Sequence, residues 1–560
     1  MYNLLYGGAA GDGLETMSTI LEKVLKRSGY YVFTTRDFMS RIRGGHNFMQ
    51  IRFGNQSITS HRDGIDVIVA LNEETVELHK GRLLQGGIIL CDTSLSIEGT
   101  NVLKFPLKET AKQLGNSKIY GSVAMGAILK LFSIPLDKVE EVLAANFKTE
   151  LVTINSLAVK EGYHLATSIF SVESRPLDDY MAITGTTAMA LGALAANIKF
   201  YCAYPMSPAT GLLEYLTAHG EQMGVAVEQA EDEIAAVNMA IGASNAGARA
   251  MTGTSGGGFS LMVEALGLAG IAEIPLVIAN VQRPGPATGL PTRTEQSDLK
   301  FVISASQGEF PRMVIAIRNH ADAFYQTARA IALAEKYQIP IILLSDQYLG
   351  DTTATIPLFE PEKIYKYKEK NEKIELDENG LYQRYYINEN GISPRLIPGK
   401  SEYHVRVDSD EHDVYGQITE SAHIRKKMVE KRMKKLELLE TELLEPEIIG
   451  DIDMEHLIVA FGSTYGPIKE AVTILNTNGG KYGALVFGDV YPLPQKLLLK
   501  YKDVVKDIIN IEQNATGQLA SLLRESMGLI CNKSILKYDG RQLSVDYILN
   551  EIQMFSKEVD

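Results

Sequence analysis

YPMSP (Tyr204–Pro208), AEDEIAAVNMAIGAS (Ala230–Ser244) and QRPGPATGLPTRTEQSDL (Gln282–Leu299) decide the reading of this chain. YPMSP, QRPGPATG and a third glycine-rich run, TGTSGGG (Thr252–Gly258), each follow an apolar strand. Strands alternating with helices predict a parallel sheet covered on both faces, and ligands in such sheets gather at the carboxyl ends of the strands. The three loops are therefore expected on one edge. Between them, Glu233 opens a helix of nearly continuous small residues, Ala235, Ala236, Ala240, Gly242 and Ala243. Such a helix can lie against backbone or a flat ligand and carry the carboxylate inward. The alternative is that Glu231, Asp232 and Glu233 crowd a helix start because the helix dipole favours acids there.

A Glu followed nine residues later by a Gly on a small-residue helix resembles the thiamine-diphosphate enzymes. The flanking loops narrow the resemblance to the 2-oxoacid:ferredoxin oxidoreductases, whose YPxTP-like and QRxGPxTGxPT-like loops match Tyr204–Pro208 and Gln282–Thr292. It runs on through Ala248 to Pro275 and into both flanks, covering essentially the whole chain. The resemblance implies that Glu233 bonds the aminopyrimidine of thiamine diphosphate and shares a proton with it, with Thr254 and Ser255 among the cofactor-binding residues. Glu231 is the fallback. Arg283 offers a planar, bidentate donor to a substrate carboxylate, its alternative being a surface ion pair. Ser207, Thr288 and Thr292 supply hydroxyls, and Tyr204 and Pro205 shape the wall. Three residues depart from the family pattern: Ser207 where Thr is usual, Thr186 for Asn, and Gln307 for His. They bear on substrate identity more than on reaction class.

The chain opens with a short strand (Asn3–Tyr6), GGAAGDG and an amphipathic run (Met17–Lys26). Strand, glycine-rich turn and helix suit a phosphate at the helix N-terminus. Gly7, Gly8, Gly11 and Gly13 serve equally well for a tight turn and close packing. SRIRGGHNFMQIRFG (Ser40–Gly54) places Arg41, Arg43 and His46 around a Gly pair. This region looks like the family's gamma module, with Asp12 where Gln is commoner, which implies a part in the coenzyme A half-reaction. Arg41 and Arg43 are alternatively ion-paired to neighbouring subunits. Gly11-Asp12-Gly13 also opens the signature that holds magnesium and diphosphate in thiamine enzymes, but the Asn pair that should follow is absent, the first nearby Asn being Asn47.

At 560 residues the chain is too long for one core. The expected fold is multidomain α/β: a gamma-type domain (1–179), a thiamine pyrimidine-type domain (180–360), a charged insertion ending in an exposed or subunit-facing helix (361–450), and a transketolase C-terminal-like domain (451–560). In the last, GSTYG (Gly462–Gly466) is read as a tight turn rather than a phosphate loop. A net charge of −14 argues against nucleic acid or an anionic membrane as main partner. Cys91, Cys202 and Cys531 form no CxxC pair, so no disulfide framework or iron–sulfur cluster is expected in this chain, and a reducing, cytoplasmic setting fits. Neither export nor membrane spanning is expected.

Half of the implied machinery is missing from the sequence, there being no magnesium and diphosphate signature and no cysteine cluster. The resemblance implies a fused gamma–alpha chain paired with a beta subunit that brings magnesium and an iron–sulfur cluster, as a dimer of heterodimers passing electrons to ferredoxin. The implied reaction is oxidative decarboxylation of a 2-oxoacid to its acyl-coenzyme A. The gamma–alpha order favours 2-oxoglutarate over pyruvate or branched 2-oxoacids. A thiamine enzyme without redox chemistry and a non-catalytic nucleotide-binding assembly chain are the rival readings.

Overall fold

The computed structural model describes residues 1–9, 11, 13–39, 45–367, 374 and 376–557. These divide into two compact units: Met1–Thr184 with Asp351–Leu358 and the segment from Ser544 onward, and Gly185–Gly350 with Phe359–Leu543.

The first unit is built on a mixed eight-stranded sheet. Its opening strand, Tyr2–Ala9, pairs antiparallel with His46–Gly54 and parallel with Ile65–Ala70. Leu4, Val67 and Val69 point from it into a core closed by the helices Leu14–Arg27, Tyr120–Leu131 and Thr149–Leu165. The last two helices cross on glycine: a Cβ on Gly126 would strike the carbonyl of Val159, and one on Gly162 that of Val123. Tyr180–Thr184 and Thr353–Pro357, which read from sequence with the second segment, add to the edge of this sheet. The reason is local. Val32 N donates to Thr355 Oγ1 (2.9 Å), and Arg36 reaches both the Asp351 carbonyl (2.6 Å) and Thr353 Oγ1 (2.9 Å) while paired to Glu22 (2.9 Å). The helix Val545–Lys557 belongs here too, Asp546 accepting from Arg62.

The second unit holds a seven-stranded and a five-stranded sheet around one continuous core, to which Ile278, Phe259, Leu344, Phe461 and Leu485 all contribute. The seven-stranded sheet is parallel except for its edge strand Asp489–Tyr491. Its central strand Leu276–Gln282 is buried along its whole length, as both faces are covered. The five-stranded sheet is parallel apart from the edge strand Ile448–Gly450. GSTYG falls in a buried 3₁₀ turn, where Gly462 has φ +61° and Ser463 Oγ donates to Asp346 Oδ2 (2.5 Å).

The charged helix of the insertion, Ala422–Leu439, is not free on all sides: Lys431 and Lys435 are fully buried together with Met428 and Leu439, while Lys426 and Glu430 face outward. Lys431 Nζ lies 2.6 Å from Glu273 Oε1, and Lys435 Nζ 2.5 Å from Oε2. Burial raises the Glu273 carboxyl, but the charges of Lys431, Lys435 and Arg384 outweigh it and hold the group well below the usual carboxylate range. Glu273 has φ +51° at the end of helix Gly256–Ile271, so the insertion closes an otherwise awkward helix end. Sequence periodicity cannot show this, because a Lys reads as surface unless its buried partner is known.

Candidate active site

Four parallel neighbours, Phe200–Ala203, Ala250–Thr254, Leu276–Gln282 and Pro340–Asp346, end on one edge of the seven-stranded sheet. YPMSP follows the first, the tail of TGTSGGG the second and the QRPGPATG loop the third, so the three loops that marked the sequence meet there. The last of them is folded back on itself. Leu290 N donates to the Pro284 carbonyl (3.0 Å), Ala287 and Gly289 have φ +54° and +53°, and a Cβ on Gly289 would collide with Pro284 O.

Glu233 begins the helix Glu233–Asn245 and is 3% exposed. The N-terminal cap is Asp232, whose carboxylate accepts from Ala235 N (2.7 Å); Glu231 is exposed. Capping by an acid therefore falls to Asp232, and Glu233 is left for another use. Its Oε1 is buried and accepts no hydrogen bond from any described residue. A buried polar atom without a partner costs about 1–3 kcal/mol, so the orphan calls for a ligand donor. Gly258 lets the carboxylate pack this close, since a Cβ there would run into Thr254 Oγ1 and Glu233 Oε1. Thr254 and Ser255 are fully buried beside it, and Ser255 Oγ is likewise unpartnered. A buried carboxylate with an open oxygen, walled by glycine, fits the ring nitrogen of an aminopyrimidine.

Arg283 is half-buried, donates from Nη1 to the Ser207 carbonyl (2.7 Å), and keeps a buried Nε without a partner among the described residues. Burial lowers the pKa of its guanidinium, against the charges of Asp298 and Glu233. Tyr204 and Ser207 are exposed, Pro205 half-buried. Thr288 stands exposed on the loop tip, and Thr292 is half-buried. Asp298, which sequence reasoning left unassigned, lies at the end of the same loop: Asn280 Nδ2 donates to its Oδ2 (3.1 Å), and its backbone N donates to Gln282 Oε1 (3.0 Å). Burial pushes its carboxyl up to about 6 against the Asn280 hydrogen bond and the charge of Arg283. The available signal was the pair of strand-end amides, Asn280 and Gln282, pointing into a loop rich in charge.

In the first unit, Gly7 and Gly8 lie inside the strand Tyr2–Ala9, and a Cβ on Gly7 would press on Thr75 and His46. Gly11 (φ +102°) and Gly13 (φ +75°) have left-handed backbone, which requires glycine there, and no described residue crowds either one. Gly13 precedes the helix Leu14–Arg27, which has no side-chain cap. His46 is buried with Nε2 2.8 Å from His79 Nε2, and burial lowers its pKa. Arg41, Arg43 and Asp12 lie outside the described residues.

Comparison with known proteins fits this geometry. Residues 191–431 match a family described as "Pyruvate flavodoxin/ferredoxin oxidoreductase, thiamine diP-bdg", residues 3–165 one described as "Pyruvate ferredoxin/flavodoxin oxidoreductase", and residues 454–548 a pyruvate:ferredoxin oxidoreductase core domain II. A 2-oxoacid:ferredoxin oxidoreductase subunit alpha from Sulfolobus sp. is 33% identical over 96% of this chain and 94% of its own length. The chain belongs to the 2-oxoacid:ferredoxin oxidoreductase family. Another relative, a 2-oxoglutarate oxidoreductase subunit KorA of Mycobacterium tuberculosis, is 28% identical over 98% of this chain and 90% of its own. A solved 2-oxoglutarate:ferredoxin oxidoreductase from Magnetococcus marinus, with 2-oxoglutarate, coenzyme A and succinyl-CoA bound, superposes with TM-score 0.91 at 31% identity over 99% of both chains.

The chain is thus an alpha-subunit-type member of a family of thiamine-diphosphate-dependent oxidoreductases, and the α/β architecture expected from sequence is the family's. No described helix is long and apolar enough to cross a membrane.

Proposed function

We propose that this subunit supplies the pyrimidine half of a thiamine site and the carboxylate clamp for oxidative decarboxylation of 2-oxoglutarate. The overall change is 2-oxoacid plus coenzyme A thiol to acyl-coenzyme A, carbon dioxide, one proton and two electrons, the electrons passing singly to ferredoxin. When bound, thiamine diphosphate supplies the electron sink for the carbonyl carbon. Glu233 holds and returns the proton of the cofactor's pyrimidine ring through Oε1, and its dry surroundings keep water from competing. Arg283 orients the substrate carboxylate with Nε and its remaining N–H groups, the Ser207 carbonyl fixing its plane. Thr288 and Thr292 line the approach, with Tyr204 and Pro205 as its wall. Thr254 and Ser255 support the cofactor beside Glu233.

A partner beta subunit brings magnesium, the diphosphate site and the iron–sulfur cluster, in a dimer of heterodimers within the cytoplasm. Gly7, Gly8, Gly11 and Gly13, with Arg41 and Arg43, receive coenzyme A. Support for that comes from the helix after Gly13, which has no side-chain cap among the described residues. The preference for 2-oxoglutarate rests on the likeness to the Magnetococcus enzyme.

The observation that carries the reading is the buried, partnerless Oε1 of Glu233 under Gly258. An anaerobic pull-down of the chain from its own cells, followed by coenzyme A-dependent viologen reduction with 2-oxoglutarate, pyruvate and branched 2-oxoacids, tests it. Reduction fastest with 2-oxoglutarate in the presence of a cysteine-rich partner is the expected result. A preference for another 2-oxoacid would overturn the substrate, and a chain that purifies alone and reduces nothing would overturn the whole assignment.

A further inference from the structure

The two helices whose first turns meet at Glu233 are held from behind by one segment of the chain. Helix Glu233–Asn245 begins with that carboxylate, and helix Gly256–Ile271 begins with the glycine turn packed against it. At about 1.5 Å per residue their far ends lie about 20–24 Å away. Both far ends meet the charged insertion. Arg395 Nη1 donates to the Ser244 carbonyl (3.1 Å) in the last turn of the first helix, while its Nη2 lies 3.3 Å from Glu335 Oε2. The turn that follows is seated on Ile397, which a Cβ on Gly247 (φ +90°) would meet at 2.9 Å. Beyond the second helix, Arg384 Nη2 donates to the carbonyls of Ala272 (3.3 Å) and Glu273 (2.8 Å), and the Tyr385 hydroxyl donates to that of Ala272 (3.3 Å). Cations suit the unpaired carbonyls at any helix end; here residues 384–397 serve both helices of a single pocket.

The amino ends offer little to stop either helix from sliding. Helix Gly256–Ile271 has no side-chain cap at its start among the described residues and opens with three glycines. Helix Glu233–Asn245 is capped by Asp232, but that bond, to Ala235 N, lies within its own first turn and travels with it. Its flanks are largely Ala and Gly, and small side chains make shallow ridges that interlock weakly with a neighbour. A helix moves along its axis as one stiff body, so a stop at one end sets the position of the other. We infer that Arg395 and Arg384 are positioning residues: by gripping the carboxyl ends of the two helices, the insertion sets the spacing of Glu233 and the glycine turn at their amino ends, and with it the fit of the cofactor's pyrimidine ring. This rests on Glu233 and Gly258 forming the pyrimidine site. Productive geometry must hold to within about 0.5 Å, and a misplacement of about 1 Å costs about 10²-fold in rate. Arg283 and its loop follow the strand Leu276–Gln282 and belong to neither helix, so binding of the 2-oxoacid is separable from this effect.

The test uses the assembled complex carrying Arg395→Met, Arg395→Lys or, as a control, Lys336→Met, which removes the pairing of Lys336 with Glu442 of the insertion and bears on neither helix end. Equilibrium dialysis gives the dissociation constant of thiamine diphosphate, and coenzyme A-dependent viologen reduction at saturating thiamine gives kcat and KM. Expected for Arg395→Met is a thiamine dissociation constant raised about tenfold and a kcat lowered about 10–100-fold, with KM for the 2-oxoacid within about twofold of native. Arg395→Lys keeps the charge and a donor, and should recover most of the loss. Lys336→Met should retain native thiamine binding and kcat even where its melting temperature falls as far as that of Arg395→Met. Native thiamine affinity and kcat in Arg395→Met would overturn the inference, as would equal losses in Lys336→Met at equal melting temperature. Should Arg395→Met not assemble, Tyr385→Phe decides: loss of one hydroxyl donor should lower kcat by about fivefold, and an unchanged kcat there would overturn the inference. Failure of the underlying pocket looks different, since Glu233→Gln would then keep the native rate at equal thiamine content.

Discussion

Replacing Glu233 by Gln separates chemistry from folding because the two effects have different sizes and signs. The side chain is 3% exposed and its Oε1 has no partner among the described residues, so burying the carboxyl oxygen is not offset there by a hydrogen bond. Gln has the same shape and no charge. Stability should stay level or rise by about 1 kcal/mol. The rate should behave otherwise, since an amide cannot hold and return a proton. General acid–base steps contribute about 10²–10⁴-fold, or about 3–5 kcal/mol of barrier. Coenzyme A-dependent viologen reduction by the assembled complex measures the rate, thermal unfolding of the same preparation measures stability, and bound thiamine is assayed so that lost cofactor is not counted as lost chemistry. Glu231→Gln, at an exposed position outside the cap, serves as control and should change the rate by less than about twofold. Retention of more than about a tenth of the native rate at equal thiamine content would refute the role assigned to Glu233. So would a drop in melting temperature that accounts for the lost activity.

Gly258→Ala should remove thiamine from the complex while the far-ultraviolet circular dichroism stays native, because the added methyl collides with Glu233 Oε1 and Thr254 Oγ1 at the helix start rather than in the core; equilibrium dialysis with thiamine diphosphate checks it. Glu273→Gln should lower stability by about 3–5 kcal/mol in thermal or urea unfolding, since it leaves Lys431 and Lys435 buried without their carboxylate. Asp298→Asn should stabilise the chain in a pH-dependent way: a carboxyl whose folded pKa is raised contributes stability below its unfolded value, near 3.9, and loses it as pH rises through about 6. The melting temperature of the variant should match the native one near about pH 4 and exceed it by the equivalent of up to about 3 kcal/mol at neutral pH, and equal curves at both pH values would contradict the shift.

What the sequence made legible follows from which physical signals are local. The strand alternation, the small-residue helix after Glu233 and the Gly/Pro loops each announce themselves within a few residues, and strand order then needs only the rule that ligands meet at carboxyl ends. The three loops could therefore be expected on one edge, where they lie. The membership of Tyr180–Thr184 and Thr353–Pro357 in the first sheet did not, because it depends on Arg36 and Val32 finding partners more than three hundred residues away. The buried face of Ala422–Leu439 was hidden for the same reason. Lys431 and Lys435 carry no mark of burial except the distant Glu273, which the sequence shows only as a break in an apolar run.

Asp298 is the most instructive case. In TRTEQSDL it is one acid among polar neighbours, indistinguishable from Glu295 by type or by local pattern. Only the fold shows that Asn280 and Gln282, at the end of the preceding strand, reach forward to hold it within the field of Arg283. Its neighbour Glu295 receives a backbone hydrogen bond from Gly540 instead and stands near Asp539. Two acids of one loop thus take different work, one turned toward the clamp and one toward the five-stranded sheet's connecting segment.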